Sequence, residues 1–187
     1  MRRSPETYDD IVKVIVDIFV DYDIKEFPIN PKEVCKKLGV ALIPYSEYQG
    51  RDRELLLKCS EYAFFTRATK DRSPSIYYND AFASEGAIRF SIFHELKHYV
   101  CEDKDDEDDD LADYFARQFM CPTVYMILKK IDTVNEIMSY CGLSESAASY
   151  ACSNIHKRRA KHGYTIFEHE KPLIELLDPV LLEVYGE

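Results

Sequence analysis

The feature that most constrains the fold is the apolar pattern of residues 84–101. Large apolar side chains recur there at spacings of three and four, which is the period of an α-helix, and they cover a broad face of it. These residues are Ile88, Ile92, Phe93, Leu96, Tyr99 and Val100. Because so wide an apolar face must be covered by other elements, the pattern predicts a central and largely buried helix.

Two short runs rich in aromatic and β-favouring residues precede this helix, at residues 62–66 and 75–78. The polar segment between them has the composition of a loop, and residues 40–44 are a further strand candidate. We therefore expect an α+β fold, in which a small β-sheet packs on the 84–101 helix and a helical C-terminal region follows.

Helical patterns occupy most of the remaining chain. They cover residues 6–21, 32–38, 111–120 and 172–177, and residues 123–162 read as three helices. Within the last region Asp132 is a candidate N-cap, Gly142 marks a turn and Ser144 is a second candidate N-cap. We expect a core with an N-terminal helix over residues 1–122 and a helical region over residues 123–187, packed as one unit.

The chain is strongly acidic, with 34 Asp and Glu residues against 24 Lys and Arg and a formal net charge of −10. Such a surface repels phosphate backbones, which disfavours nucleic acid as a partner. The six cysteines form no C-x-x-C pair, no apolar segment approaches the ~20 residues of a membrane span, and the N-terminus has no signal-like apolar region. We therefore expect a reduced, soluble, cytoplasmic protein.

The predicted central helix contains the run His94-Glu95-Leu96-Lys97-His98. Side chains four residues apart lie on one helix face, so both imidazoles can reach a single cation at Zn–N distances of ~2.0–2.1 Å. Glu95 lies at the edge of that face, where it can accept a proton from water held by the ion. Because such an ion makes water nucleophilic at neutral pH and polarises carbonyl groups, the run predicts metal-dependent peptide hydrolysis.

Two histidines leave a catalytic zinc one protein ligand short, and the acidic run at residues 102–110 offers many candidates for the third. Helical phase narrows the choice, because Asp109 and Asp113 extend the core-facing stripe of the next predicted helix. That stripe consists of Ala112, Phe115, Ala116 and Phe119. Cys101 is a further soft donor, although free cysteines are more often buried apolar residues. The rest of the acidic run is expected to stay solvated.

Several short motifs occur in a fixed order along the chain. They are Ile76-Tyr77-Tyr78-Asn79, Arg89-Phe90-Ser91-Ile92, His94-Glu95-Leu96-Lys97-His98, Asp109-x-x-Ala112-Asp113-x-Phe115-Ala116 and Met120-Cys121-Pro122. In this order the motifs resemble the ImmA/IrrE metallopeptidases, over roughly residues 28–160. The ordered series is far more specific than the five-residue run alone.

The resemblance implies a zinc-dependent endopeptidase with a zincin-like active-site helix. By matching position it implies that three residues bind Zn²⁺, namely His94, His98 and Asp109, with Mn²⁺ as an alternative ion. It also implies that Glu95 is the general base, and that Asp113 forms a hydrogen bond that orients a ligand histidine. The implied substrate is a protein, commonly a helix–turn–helix repressor of a phage or mobile element, and hence the implied role is transcription regulation.

The chain departs from the family at two positions. The family usually has Glu at the position of Asp109, and the shorter side chain requires its helix to lie closer to the metal. The family usually has Gly at the position of Lys97, where a neighbouring segment approaches closely. Neither departure removes a donor atom.

A different class of function stays open from the residues alone. Residues 132–162 resemble a helix–turn–helix and end in a basic cluster, which consists of Lys157, Arg158, Arg159 and Lys161. The alternative hypothesis is therefore a non-hydrolytic regulatory module that binds a repressor or DNA and carries a structural or vestigial metal site. Cations near a helix C-terminus also complement the helix dipole, and on so acidic a chain this interpretation is favoured.

Overall fold

The computed structural model describes residues 5–82, 84–101 and 109–186, with side chains from residue 8 onward. The segment 102–108, predicted to stay solvated, lies outside the described residues. In chain order the elements are α1 (Pro5–Asp21), α2 (Pro31–Leu38), β1 (Ala41–Pro44), a 3₁₀ turn (Tyr45–Glu47), α3 (Gly50–Cys59), β2 (Ala63–Thr66), β3 (Ser75–Tyr78), α4 (Glu85–Val100), α5 (Asp109–Met120), α6 (Thr123–Lys129), α7 (Val134–Cys141), α8 (Glu145–His162), a 3₁₀ turn (Glu168–Glu170), α9 (Lys171–Leu177) and α10 (Pro179–Tyr185). The predicted α+β class is confirmed.

Residues 30–116 form one of two units, called here the sheet unit. Its strands have the order β1-β3-β2, with β1 parallel and β2 antiparallel to β3. The chain passes from α2 into β1 through Gly39, whose φ of 74° ends the helix in the left-handed conformation. In the register, Ala41 faces Ser75 and Phe65 faces Ile76.

The predicted central helix is α4, which packs against β2 and β3. Phe93 and Leu96 on the helix and Ile76 on the sheet are fully buried, as a broad apolar face requires. On β2, Phe64 stacks on Tyr77 of β3 with ring centroids 5.1 Å apart. Burial therefore fixes both the position and the rotation of α4.

Helix α3 was not predicted from the sequence. None of its residues is buried, and Leu55 is 49% exposed. Sequence patterns identify a helix chiefly by the apolar face that it buries. A helix that buries no such face leaves no pattern of that kind.

The second unit, called here the helical unit, consists of residues 1–29 and 117–187, and its described part is wholly helical with connecting turns. Its core includes Phe19, which lies against Phe119 with ring centroids 5.0 Å apart. Phe27 stacks on Tyr140 at 5.2 Å. Among the described residues, no helix combines the length and the apolar character needed to cross a bilayer.

The two ends of α7 correct one prediction and agree with another. Thr133, not Asp132, is the N-cap of α7, and it forms a capping box with Glu136. The carboxylate of Asp132 instead accepts a hydrogen bond from the guanidinium of Arg159, so tertiary pairing has taken it away from the helix end. The turn residue Gly142 ends α7 with a φ of 65°, as predicted.

Candidate metal centre

Helix α4 positions three of the predicted site residues. Ser84 caps its first turn by accepting a hydrogen bond from the Ala87 N–H, and its last turns carry His94, Glu95 and His98. The imidazole centroids of the two histidines are 5.7 Å apart, because residues four apart share a helix face. His98 is buried, and the side chain of His94 is 19% exposed.

Helix α5 brings one carboxylate near each ring nitrogen of His94. The ring Nδ1 donates a hydrogen bond to Asp113 Oδ1 over 2.9 Å, since a carboxylate can only accept. This bond places the proton on Nδ1 and leaves the Nε2 lone pair available to bind a metal. His94 Nε2 in turn lies 3.8 Å from Asp109 Oδ1. The predicted role of Asp113 therefore has the required contact.

The electrostatics of the site favour a cation. Burial of His94 opposes its charging, but the hydrogen bond to Asp113 and the negative charges of Glu95, Asp113 and Asp109 outweigh burial, and the pKa of His94 is raised. Three carboxylates thus surround one imidazole ring. In such a field a divalent cation is stabilised as a proton is.

Glu95 has a contact that the sequence did not predict. One carboxylate oxygen, Oε2, accepts a hydrogen bond of 2.9 Å from the backbone N–H of Phe65 on β2. Every residue except proline carries such an N–H, so no residue type signals the contact. Only the packing of β2 against α4 shows which amide is involved.

The donor types fit zinc, and one spacing between two of them is close to the spacing that zinc requires. Two ligand atoms that lie ~2.0–2.1 Å from one tetrahedral ion are roughly 3.3 Å apart, close to the 3.8 Å between His94 Nε2 and Asp109 Oδ1. Two imidazoles and one carboxylate also form a known catalytic ligand set. Within residues 5–82, 84–101 and 109–186, no group of three His, Cys, Asp or Glu residues is yet arranged to hold an ion. Asp109 and Asp113 both lie near His94, but neither forms with His94 and His98 a group of three donors that could hold one ion.

The sequence analysis singled out three further positions, namely Cys101, Lys97 and Asp109. Cys101 is the C-cap residue of α4, and its role as a soft ligand stays a prediction. Lys97, which stands where the family usually has Gly, is buried with 2% of its surface exposed. The side chain of Asp109 is 84% exposed, so the predicted third ligand lies on the solvent side of the site.

The α+β fold with a His-Glu-x-x-His run on a buried helix defines the class of metallopeptidase-type domains. A family model described as IrrE N-terminal-like domain, from a peptidase family, matches residues 55–153, which is more than half of the chain. The chain belongs to this family, and the ImmA/IrrE resemblance is confirmed. No curated protein and no solved structure matches the chain.

Proposed function

We propose that the chain is a zinc-dependent endopeptidase that cleaves a helix–turn–helix repressor of a phage or mobile element. Family membership supports the general part of this proposal, namely that the domain is a peptidase and acts on protein. The observation that carries the proposal is the environment of His94. On the helix that holds the motif, this ring has Asp113 on Nδ1 at 2.9 Å and Asp109 beside Nε2 at 3.8 Å.

In this proposal His94, His98 and Asp109 hold the zinc ion. When bound there, zinc would supply a Lewis acid that makes water acidic near neutral pH and polarises a peptide carbonyl group. Asp113 keeps the proton of His94 on Nδ1, so that Nε2 keeps a lone pair with which it would bind the ion. Two histidines and one carboxylate are a ligand set that catalytic zinc sites use.

Glu95 carries the proton transfers. Its carboxylate takes a proton from the attacking water as the water oxygen bonds to the peptide carbonyl carbon. It then gives this proton to the peptide nitrogen as the C–N bond breaks, and the products are an amine and a carboxylic acid, which loses its remaining proton to solvent at neutral pH. Glu95 is the neighbour of His94 in sequence, and its Oε2 accepts a hydrogen bond from the Phe65 N–H of β2, which supports this role.

The choice of a repressor as substrate is supported by charge as well as by the family. DNA-binding domains carry basic surfaces, and a chain with a net charge of −10 attracts them through long-range electrostatics. The same charge disfavours binding of DNA itself.

The alternative, DNA binding through α7 and α8, has one observation in its favour, namely that these helices pack together across the Gly142 turn. The basic cluster at the end of α8 is partly neutralised, however. Arg158 forms two hydrogen bonds to the carboxylate of Glu170, at 2.6 and 2.8 Å, and Arg159 pairs with Asp132. Paired guanidinium groups are less available to phosphates, so the peptidase proposal is preferred.

The test is cleavage of a repressor encoded beside the gene for this chain, followed by gel and mass spectrometry after addition of ZnCl₂ or MnCl₂. Glu95→Gln should retain zinc and lose cleavage, because an amide cannot accept the proton. The matched control is Glu85→Gln on the same helix, whose carboxylate is 85% exposed and pairs with Arg89. Undiminished cleavage by Glu95→Gln would refute the assigned base, and a salt-dependent gel shift without cleavage would favour the alternative.

A further inference from the structure

The backbone N–H of Phe65 belongs to an edge of the sheet. In the order β1-β3-β2, strand β2 pairs with β3 on one side, and among the described residues no strand pairs with its other side. Residues of an antiparallel strand alternate between those that bond to the partner strand and those whose N–H and C=O point away. The Asn79 N–H donates to Tyr62 C=O over 2.7 Å, so Tyr62 and Phe64 bond toward β3. Phe65 therefore points outward.

The outward N–H of Phe65 ends on Glu95. The distance from the amide nitrogen to Oε2 is 2.9 Å, the length of a hydrogen bond with a charged acceptor. Because β2 does not use this amide for pairing, the bond costs the sheet nothing. Next to this amide β2 packs on α4, where the ring centroids of Phe65 and Tyr99 are 5.9 Å apart. The Tyr99 hydroxyl in turn donates to Leu38 C=O over 3.2 Å.

We infer that Phe65 is a positioning residue, whose backbone N–H holds the Glu95 carboxylate at the reacting groups. The inference rests on the function proposed above. A free glutamate side chain samples several rotamers, and fixing it in one of them costs conformational entropy. A hydrogen bond from a rigid strand supplies that order before the substrate arrives, which is how a general base becomes pre-organised.

The first test removes only the N–H. Phe65→Pro lacks the donor, and an edge strand tolerates proline where the amide points outward. Phe65→Ala loses the same aromatic ring but keeps the N–H, so it is the matched control. With the repressor as substrate, kcat of Phe65→Pro should fall about 10- to 100-fold below that of Phe65→Ala, with KM and bound zinc changed less than about twofold. Equal kcat values for the two variants would overturn the inference.

A further measurement separates positioning from structural damage. Hydrogen exchange needs no activity: Glu95→Ala should speed exchange of the Phe65 amide at least about tenfold and leave the Phe64 amide, which faces β3, unchanged. An unchanged Phe65 amide overturns the inference even if Phe65→Pro fails to fold. If the zinc-loaded wild-type chain cleaves nothing, the proposed function fails. The exchange measurement still shows whether the Phe65 N–H is bonded to Glu95.

Discussion

Replacing Asp113 by alanine should weaken zinc binding without removing a ligand atom. The carboxylate fixes the proton of His94 on Nδ1 through a bond of 2.9 Å. Without it the ring loses its orientation and the proton can move to Nε2, the atom that is required to bind the metal. Asp113→Asn keeps a neutral acceptor at the same place and should therefore have a smaller effect.

The magnitude follows from the type and exposure of this hydrogen bond. A hydrogen bond to a charged group contributes about 1.5–3 kcal/mol, and the Asp113 side chain is 48% exposed, which favours the lower end of that range. About 1.5 kcal/mol corresponds to a roughly tenfold weaker Kd for zinc. Loss of Asp109, a proposed ligand, should weaken zinc binding by more than about 100-fold.

The assay is competition for zinc against a chromophoric chelator at constant pH, with each variant checked for an unchanged thermal midpoint. Asp110→Ala is the matched control, because Asp110 is an exposed neighbour in the same helical turn. We expect Asp110→Ala to bind zinc most tightly, Asp113→Ala more weakly and Asp109→Ala most weakly. If Asp113→Ala binds zinc as tightly as Asp110→Ala, the hydrogen bond to His94 does not orient a ligand.

Two other predictions concern the fold. Cys59 is exposed, whereas Cys35 is fully buried, and burial raises the pKa of Cys35 to about 12. A thiol reagent at pH 8 should therefore label Cys59 in the native protein and Cys35 only on unfolding, as measured by peptide mass spectrometry. Labelling of both cysteines in the native protein would contradict the packing. Arg158→Ala should lower the free energy of unfolding in urea by about 3–5 kcal/mol, because it leaves the Glu170 carboxylate, 2% exposed, without its guanidinium partner. Lys13→Ala, which breaks an exposed ion pair, should leave the free energy of unfolding nearly unchanged, and equal losses for the two variants would refute the difference assigned to burial.

The elements that the sequence predicted best are those with a strong local pattern. The predicted helix at residues 84–101 is observed as Glu85–Val100, and the strand expected at residues 75–78 is observed as Ser75–Tyr78. In α4 the apolar residues recur at helical spacing, and Ile92, Phe93 and Leu96 are buried, whereas β3 was identified by its aromatic and β-favouring composition. The motif histidines needed no tertiary information to be placed four residues apart on one face.

The misassigned cap shows where local pattern fails. Asp132 has the chemistry of an N-cap, and so does Thr133, the next residue. In the structure Thr133 caps the helix, and Asp132 pairs with Arg159, which is 27 residues away in the chain. A propensity that two neighbours share cannot report a partner so distant in sequence.

The sequence by itself determined the chemistry available to the chain, namely two imidazoles and an acid on one helix and a choice of carboxylates on the next. Only the tertiary structure distributed those carboxylates around His94, with Asp113 on Nδ1 and Asp109 beside Nε2. It alone also brought the Phe65 amide to Glu95. The reason is physical: the type of a donor is a property of one residue, whereas its distance from another depends on the packing of the elements between them.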